Sequence, residues 1–204
     1  MTYMRISMSD TGFTRRHMLT SVAALAATAL LPRGAHAFSS GQAEALIGEV
    51  VAQITSIINS GKSEAAMYGD FERVLVRYAD MPNIARSVLG PPARSASSAQ
   101  LSAFTGAFQR YIARKYGARF REFIGGKIQV NSTQKVNSIY DVRCTAILRG
   151  EAPFGVSFIV SDRSGKFIDL SIEGISLLKS ERAEVGAMLD RAGGSIDALT
   201  RQLA

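Results

Sequence analysis

Ile139-Tyr140-Asp141-Val142-Arg143-Cys144-Thr145-Ala146-Ile147-Leu148 decides the fold class of this 204-residue chain. Tyr140, Val142, Cys144, Ala146 and Leu148 share one parity, while Asp141, Arg143 and Thr145 share the other. That period of two belongs to a strand with one dry face and one wet face. Downstream the pattern recurs in Phe154, Val156, Phe158 and Val160. It recurs again in Ile168, Leu170 and Ile172, which stand opposite Asp169 and Ser171. Asp162-Arg163-Ser164-Gly165 is turn chemistry between these last two strands. Upstream, residues 127–130 supply a first strand, so four strands follow one another as an antiparallel meander.

Ahead of Gly125-Gly126 the period is helical. In residues 41–59, Leu46, Ile47, Val50, Val51, Ile54, Ile57 and Ile58 recur at helical spacing. Ser63 can cap a second helix with the stripe Met67, Phe71, Val74, Leu75 and Tyr78, broken by Met81-Pro82. A short helix over 83–89 ends at Gly90. Ser97 and Gln100 have capping-box spacing and open a long helix that is expected to run to about Phe123. Its apolar face carries Leu101, Phe104, Phe108, Tyr111 and Ile112. After the strands, Ser180 is read as the cap of a helix over 181–191, and Ser195 as the cap of a last short one. Helices first and a one-sided antiparallel sheet second imply an α+β domain, with N-terminal helices packed on a curved, mostly antiparallel four-stranded sheet.

The first 37 residues read as an address, not as fold. Arg15-Arg16 stands just ahead of the uncharged, Ala- and Leu-rich stretch from Ser21 to Leu31, and Ala35-His36-Ala37 is a small-x-small site. Basic region, apolar run and cleavage site are the parts of an export signal, here of the twin-arginine kind. The run is too short to span a bilayer, which needs roughly 20 residues. Residues 1–37 are therefore expected to be a cleaved signal peptide, and 38–204 a single domain in the periplasm. Removing the signal's four arginines and one aspartate lowers the net charge from +7 to +4. With no dense basic run interleaved with aromatics, nucleic acid is not an expected partner.

Both histidines, His17 and His36, leave with the signal. What remains has no histidine, no tryptophan and the single cysteine Cys144. Ser–His–Asp and Cys–His catalysis and imidazole metal sites are thereby excluded, as is an internal disulfide. No catalytic residue, metal or cofactor is expected. Asp169 and Glu173 form no hydrolase site without further groups, and Glu173 is expected to pair with Arg182 instead. Arg110, Arg114, Lys115, Arg119 and Arg121 crowd the second half of the long helix. They read either as a solvated face near a helix C-terminus or as a docking face for acidic partners or anionic headgroups.

Asp169-Leu170-Ser171-Ile172-Glu173-Gly174-Ile175-Ser176, followed by Arg182, resembles the signature of the MlaC, or toluene-tolerance, family of periplasmic phospholipid-binding proteins, auxiliary components of an ABC transporter. Arg86-Ser87-Val88-Leu89-Gly90, the aromatic helix from Phe104 to Phe123 and Gly193-Gly194-Ser195-Ile196-Asp197-Ala198-Leu199 extend the resemblance along the chain. The family often carries two tryptophans that are absent here, and a tyrosine where Glu181 stands. The resemblance implies a nuclear-transport-factor-like fold enclosing an apolar cavity, and a carrier without enzymatic activity. Its ligand is phospholipid, moved between an outer-membrane lipoprotein complex and the substrate-binding ring of an inner-membrane ABC transporter, with transient membrane contact and maintenance of outer-membrane asymmetry. It further implies that Phe104, Phe108, Tyr111, Val142, Phe154, Val156, Phe158, Ile168 and Leu170 line the cavity. Arg110, Arg114, Lys115 and Arg119 would meet partners or headgroups. Periodicity alone leaves those apolar faces open between a cavity and an ordinary core. A hopanoid carrier, a nuclear-transport-factor-like enzyme and an assembly protein are the other readings. Replacing Arg15 and Arg16 together by Lys should hold the precursor in the cytoplasm, as seen by cell fractionation; undiminished periplasmic protein would contradict the twin-arginine reading.

Overall fold

The computed structural model describes residues 38–204; the expected signal, 1–37, lies outside the described residues. Helix α1 (Ser40–Ile58) opens on a complete capping box. Ser39 accepts from the Gln42 amide, and the Gln42 side chain accepts from the Ser39 amide. Ser63 caps α2 (Glu64–Tyr78) by accepting from the Ala66 amide. Helix α3 (Met81–Leu89) begins two residues earlier than expected. Asp80 caps it, so Pro82 sits in the first turn, where a missing N–H costs nothing. A 3-10 turn (Pro91–Arg94) leads to α4 (Ser98–Gly117), where Ser97 and Gln100 form the expected box.

Helix α4 stops at Gly117, short of Phe123. A Cβ at Gly117 would lie 2.7 Å from the Tyr68 ring, so only glycine lets α2 approach this closely. The chain then tightens into a 3-10 turn (Phe120–Phe123) that buries Phe120 edge-on against Phe71, with ring centroids 4.9 Å apart.

The sheet is a meander in chain order: β1 (Lys127–Val136), β2 (Ile139–Ile147), β3 (Phe154–Ser161), β4 (Phe167–Ile172) and β5 (Ile175–Ser176). It has five antiparallel strands instead of four. The extra one exists because Glu173 and Gly174 both take positive φ (50° and 81°), which a tight two-residue hairpin requires. Strand β1 runs six residues past its expected end. Asn131 is an extra residue in the register between Val130 and Ser132, and this bulge breaks the alternation that would have revealed the rest. The inner face of β2 and β3 carries Tyr140, Val142, Cys144, Ala146, Val156, Phe158 and Val160, all buried.

The helices form the second layer. Helix α1 lies against β1 and β2, while α3 and α5 (Leu177–Arg191) lie against β4. Helix α6 (Ile196–Leu203), capped by Ser195, packs on α4. The Asp80 amide donates to the Phe167 carbonyl at 2.9 Å, pinning the α2–α3 corner to the start of β4. The cap of α5 is Ser176, not Ser180: Ser176 Oγ accepts from the Lys179 amide. Asp169 reinforces it, accepting from the Leu178 amide at 2.9 Å and from the Ser176 hydroxyl at 2.6 Å. The Ser180 hydroxyl only donates back to the Ser176 carbonyl within the helix. Ser176→Ala should therefore cost about 1 kcal/mol, lowering Tm by roughly 2–4 °C. Ser180→Ala should leave Tm close to that of the unmutated chain, and calorimetry showing the reverse order would restore Ser180 as the cap.

Candidate ligand-binding cavity

Between the inner face of the sheet and the helices lies a cavity of about 310 Å³, walled almost wholly by apolar side chains. The sheet wall is built by pairing. Phe158 stands opposite Leu170 and Val156 opposite Ile172, so β3 and β4 turn four apolar side chains to one side. Phe154 and Ala146, themselves a cross-strand pair, extend that wall. Helix α1 contributes Val50, Ile54 and Ile58; α2 contributes Phe71, Val74 and Leu75; α3 contributes Met81, Ile84 and Val88.

Six of the nine residues expected at the cavity line it: Phe108, Phe154, Val156, Phe158, Ile168 and Leu170. Three do not line it. Phe104 is fully buried and stacks on Phe108 at 5.8 Å. Val142 is fully buried on the inner face, one position further from the open end than Cys144. Tyr111 bridges helices instead, its hydroxyl donating to Glu184 at 2.7 Å, and burial with that bond pushes its pKa up to about 12.

Alternation placed Ile168 on the inner face, but Ile168 is the extra residue of a second bulge. Phe167 takes the register position opposite Val160 and packs edge-on against Phe158 at 6.0 Å, so Phe167 and Ile168 both line the cavity. The helical wall was visible in the sequence only as amphipathic stripes, which look the same over a core and over a void. Glu181, read only as the start of a helix, was missed as a wall residue.

Most lining side chains are buried or half-buried; the exposed ones are Asn59, Arg119 and Lys127. They mark the mouth, where the ends of α1 and α4 meet the start of β1. Beside it, Ile124 is 53% exposed, and Ile147, the register partner of Lys127, is 36% exposed. Exposed Arg121 and Arg149 flank them.

The basic end of α4 is largely spent within the molecule. Arg114 donates to the carbonyls of Leu203 and Ala204 at the end of α6. Lys115 pairs with Glu181 and Glu184. Burial opposes its charge, yet the hydrogen bonds its ammonium donates to these carboxylates, together with Tyr111, raise its pKa overall. Arg119 pairs with Glu122 at 2.8 Å, and Arg110 is exposed. The expected Glu173–Arg182 pair does not form: Glu173 sits at the exposed β4–β5 turn, and the Arg182 guanidinium rests against Gly90. Asp169 is occupied with capping α5. Burial, then Asp141, pushes the Cys144 thiol up to about 11, which keeps it unreactive. Among the described residues no cluster of His, Cys, Asp and Glu could hold a metal, and no helix is long and apolar enough to cross a membrane.

Comparison with solved structures finds the same fold in a phospholipid-binding protein from Ralstonia solanacearum, determined in complex with a phospholipid. The TM-score is 0.68 at 17% identity, over 79% of this chain and 94% of that one. The sequence profile of the family described as "MlaC protein" matches residues 48–204, which span α1 from its middle to the end of α6. The chain belongs to the MlaC family.

Proposed function

We propose that this protein is a periplasmic carrier of phospholipid and not an enzyme. The observation that carries the reading is the dry cavity between sheet and helices, whose wall offers acyl chains only apolar partners. Support comes from the solved relative of the same fold, which holds a phospholipid. Among the described residues no nucleophile with a paired base lines the space, and the acidic groups nearest it are engaged in capping or in ion pairs.

The mouth suits contact with a bilayer. Ile124 and Ile147 can enter the headgroup region while Lys127 and Arg149 meet anionic lipid, so a tail passes from bilayer to cavity without crossing water. Each acyl methylene moved from water into the cavity gains ~0.8 kcal/mol. A membrane offers tails nearly the same, so the carrier matches the bilayer instead of outbidding it. Direction must come from partners, an outer-membrane lipoprotein complex and the substrate-binding ring of an inner-membrane ABC transporter. In that setting the chain would serve outer-membrane lipid asymmetry.

Val156→Trp and Leu170→Trp test the reading, since each places an indole in the space proposed for the tails. Lipid extracted per mole of purified protein should fall severalfold. Melting should stay within a few degrees of the unmutated chain, because the added bulk enters a void. In a closed core the same insertion overpacks and costs ~1–3 kcal/mol. Strong destabilisation at both sites, with no lipid recovered from the unmutated protein, would make these faces ordinary core and refute the carrier.

A further inference from the structure

The residues that line the cavity fix its depth from three sides. On α1 the lining runs from Ile58 to Val50, eight residues of helix and so about 12 Å. On α4 it runs from Tyr116 to Phe108, again eight residues and about 12 Å. On β3 it runs from Phe154 to Phe158, four residues of strand and about 13 Å. Exposure falls along the same line. Asn59 at the mouth end of α1 is exposed, Ile58 and Ile54 are half-buried, and Val50 is fully buried.

The lining also stops at one level. The next inner-face position is Ile47 on α1, Phe104 on α4 and Val160 on β3; each is 0% exposed, and none borders the cavity. Behind them stands Tyr140, the register partner of Val160. Its hydroxyl donates to the Phe38 carbonyl, and the Phe38 ring packs edge-on against it at 5.7 Å. Packed side chains thus shut the far end of the layers, and a tail entering at the mouth meets them after about 12–13 Å.

That depth is close to one leaflet of hydrocarbon, half of a bilayer core of ~30 Å. A tail of ordinary length can enter with the extent it has in the membrane, its end reaching the floor. A longer tail cannot, because a close-packed interior does not yield to extra methylenes. Each methylene held back at the mouth forgoes ~0.8 kcal/mol, which is about fourfold in uptake. The bilayer keeps the same tail wholly buried, so the exchange turns against the carrier as tails lengthen.

We infer that Ile47, Phe104 and Val160 form a floor that measures acyl chains, so that the protein discriminates against phospholipids whose tails are longer than one leaflet. The inference rests on the carrier reading above, and deepens it by naming the feature of the lipid that is selected.

The test offers the full mature chain vesicles that mix, in equal amounts, phosphatidylglycerols with two identical monounsaturated tails. The tails lengthen in two-carbon steps: myristoleoyl, palmitoleoyl, oleoyl, eicosenoyl and erucoyl. All five share one headgroup and one membrane, and mass spectrometry of the recovered protein reads which are bound. Uptake should be level through oleoyl and fall by about fourfold or more at each longer step. Val50→Phe fills the last lining position of α1 and should bring the break one step shorter, ahead of oleoyl. Ile47→Ala lowers the floor and should carry eicosenoyl into the level range. Level uptake through erucoyl by the unmutated chain would overturn the inference, and so would a break that neither substitution moves. If one variant does not fold, the other locates the floor; if neither folds, the series on the unmutated chain decides alone. Uptake of none of these lipids would instead refute the carrier reading itself.

Discussion

An apolar void surrounded by apolar side chains is under constant pressure to collapse, because its lining atoms lack partners on one side. Everything else in this fold depends on walls that resist that pressure. The sheet wall is fixed by the Phe158–Leu170 and Val156–Ile172 pairings. The helical wall is held from outside the void. Phe104, Val185 and Leu199 are completely buried in α4, α5 and α6, and Leu203 nearly so, which gives the helices a closed core of their own beside the cavity. Polar ties then set the spacing of the two layers. The Asp80 amide holds the Phe167 carbonyl, Asp169 on β4 caps α5, and Glu181 joins α5 to Lys115 and Tyr116 on α4. Each tie has one end on an element that borders the void, so the layers cannot close without breaking a buried hydrogen bond.

The same arrangement explains what this surface lacks. Under the carrier role proposed above, the cavity need be no more attractive than the bilayer, and no group has to form or break bonds. Asp169, Glu181 and Arg119 on the wall are committed to capping or ion pairs, and the lone thiol is buried with its pKa raised. The basic end of α4, which in the sequence looks like a free docking face, mostly fastens the C-terminal helices instead. Exposed isoleucines and the exposed cations Lys127 and Arg149 gather at the mouth, supplied by the turn before β1, the start of β1 and the end of β2.

The class of the fold was legible because the strands from Ile139 to Ile172 alternate cleanly and the helices before them do not. Caps were legible at Ser63, Ser97 and Ser195, where the acceptor lies directly ahead of an apolar stripe; the cap at Ser39 was not read. They were misread at Ser180, because the true cap at Ser176 draws on Asp169, a partner on a neighbouring strand that local spacing cannot reveal. The bulge at Asn131 hid the last six residues of β1, and the bulge at Ile168 brought Phe167 onto the wall beside it, since one inserted residue reverses the parity on which strand reading relies. The division between cavity and core was not legible at all. Phe104 and Phe108 share a helix face four residues apart, yet one sits in closed core and the other on the cavity wall, a difference set by where α5 and α6 come to rest.

The central claim is that acyl chains occupy the space between the sheet and α1–α3. Nuclear Overhauser contacts between carbon-13-labelled acyl chains of a bound phospholipid and the side chains of the protein test it most directly. The account predicts contacts from chain methylenes to Val156 and Leu170 on the sheet and to Val50 and Ile54 on α1, with none to Phe104 or Val142. Contacts confined to exposed residues such as Ile124 and Ile147, with the wall residues silent, would place the lipid on the surface and contradict it.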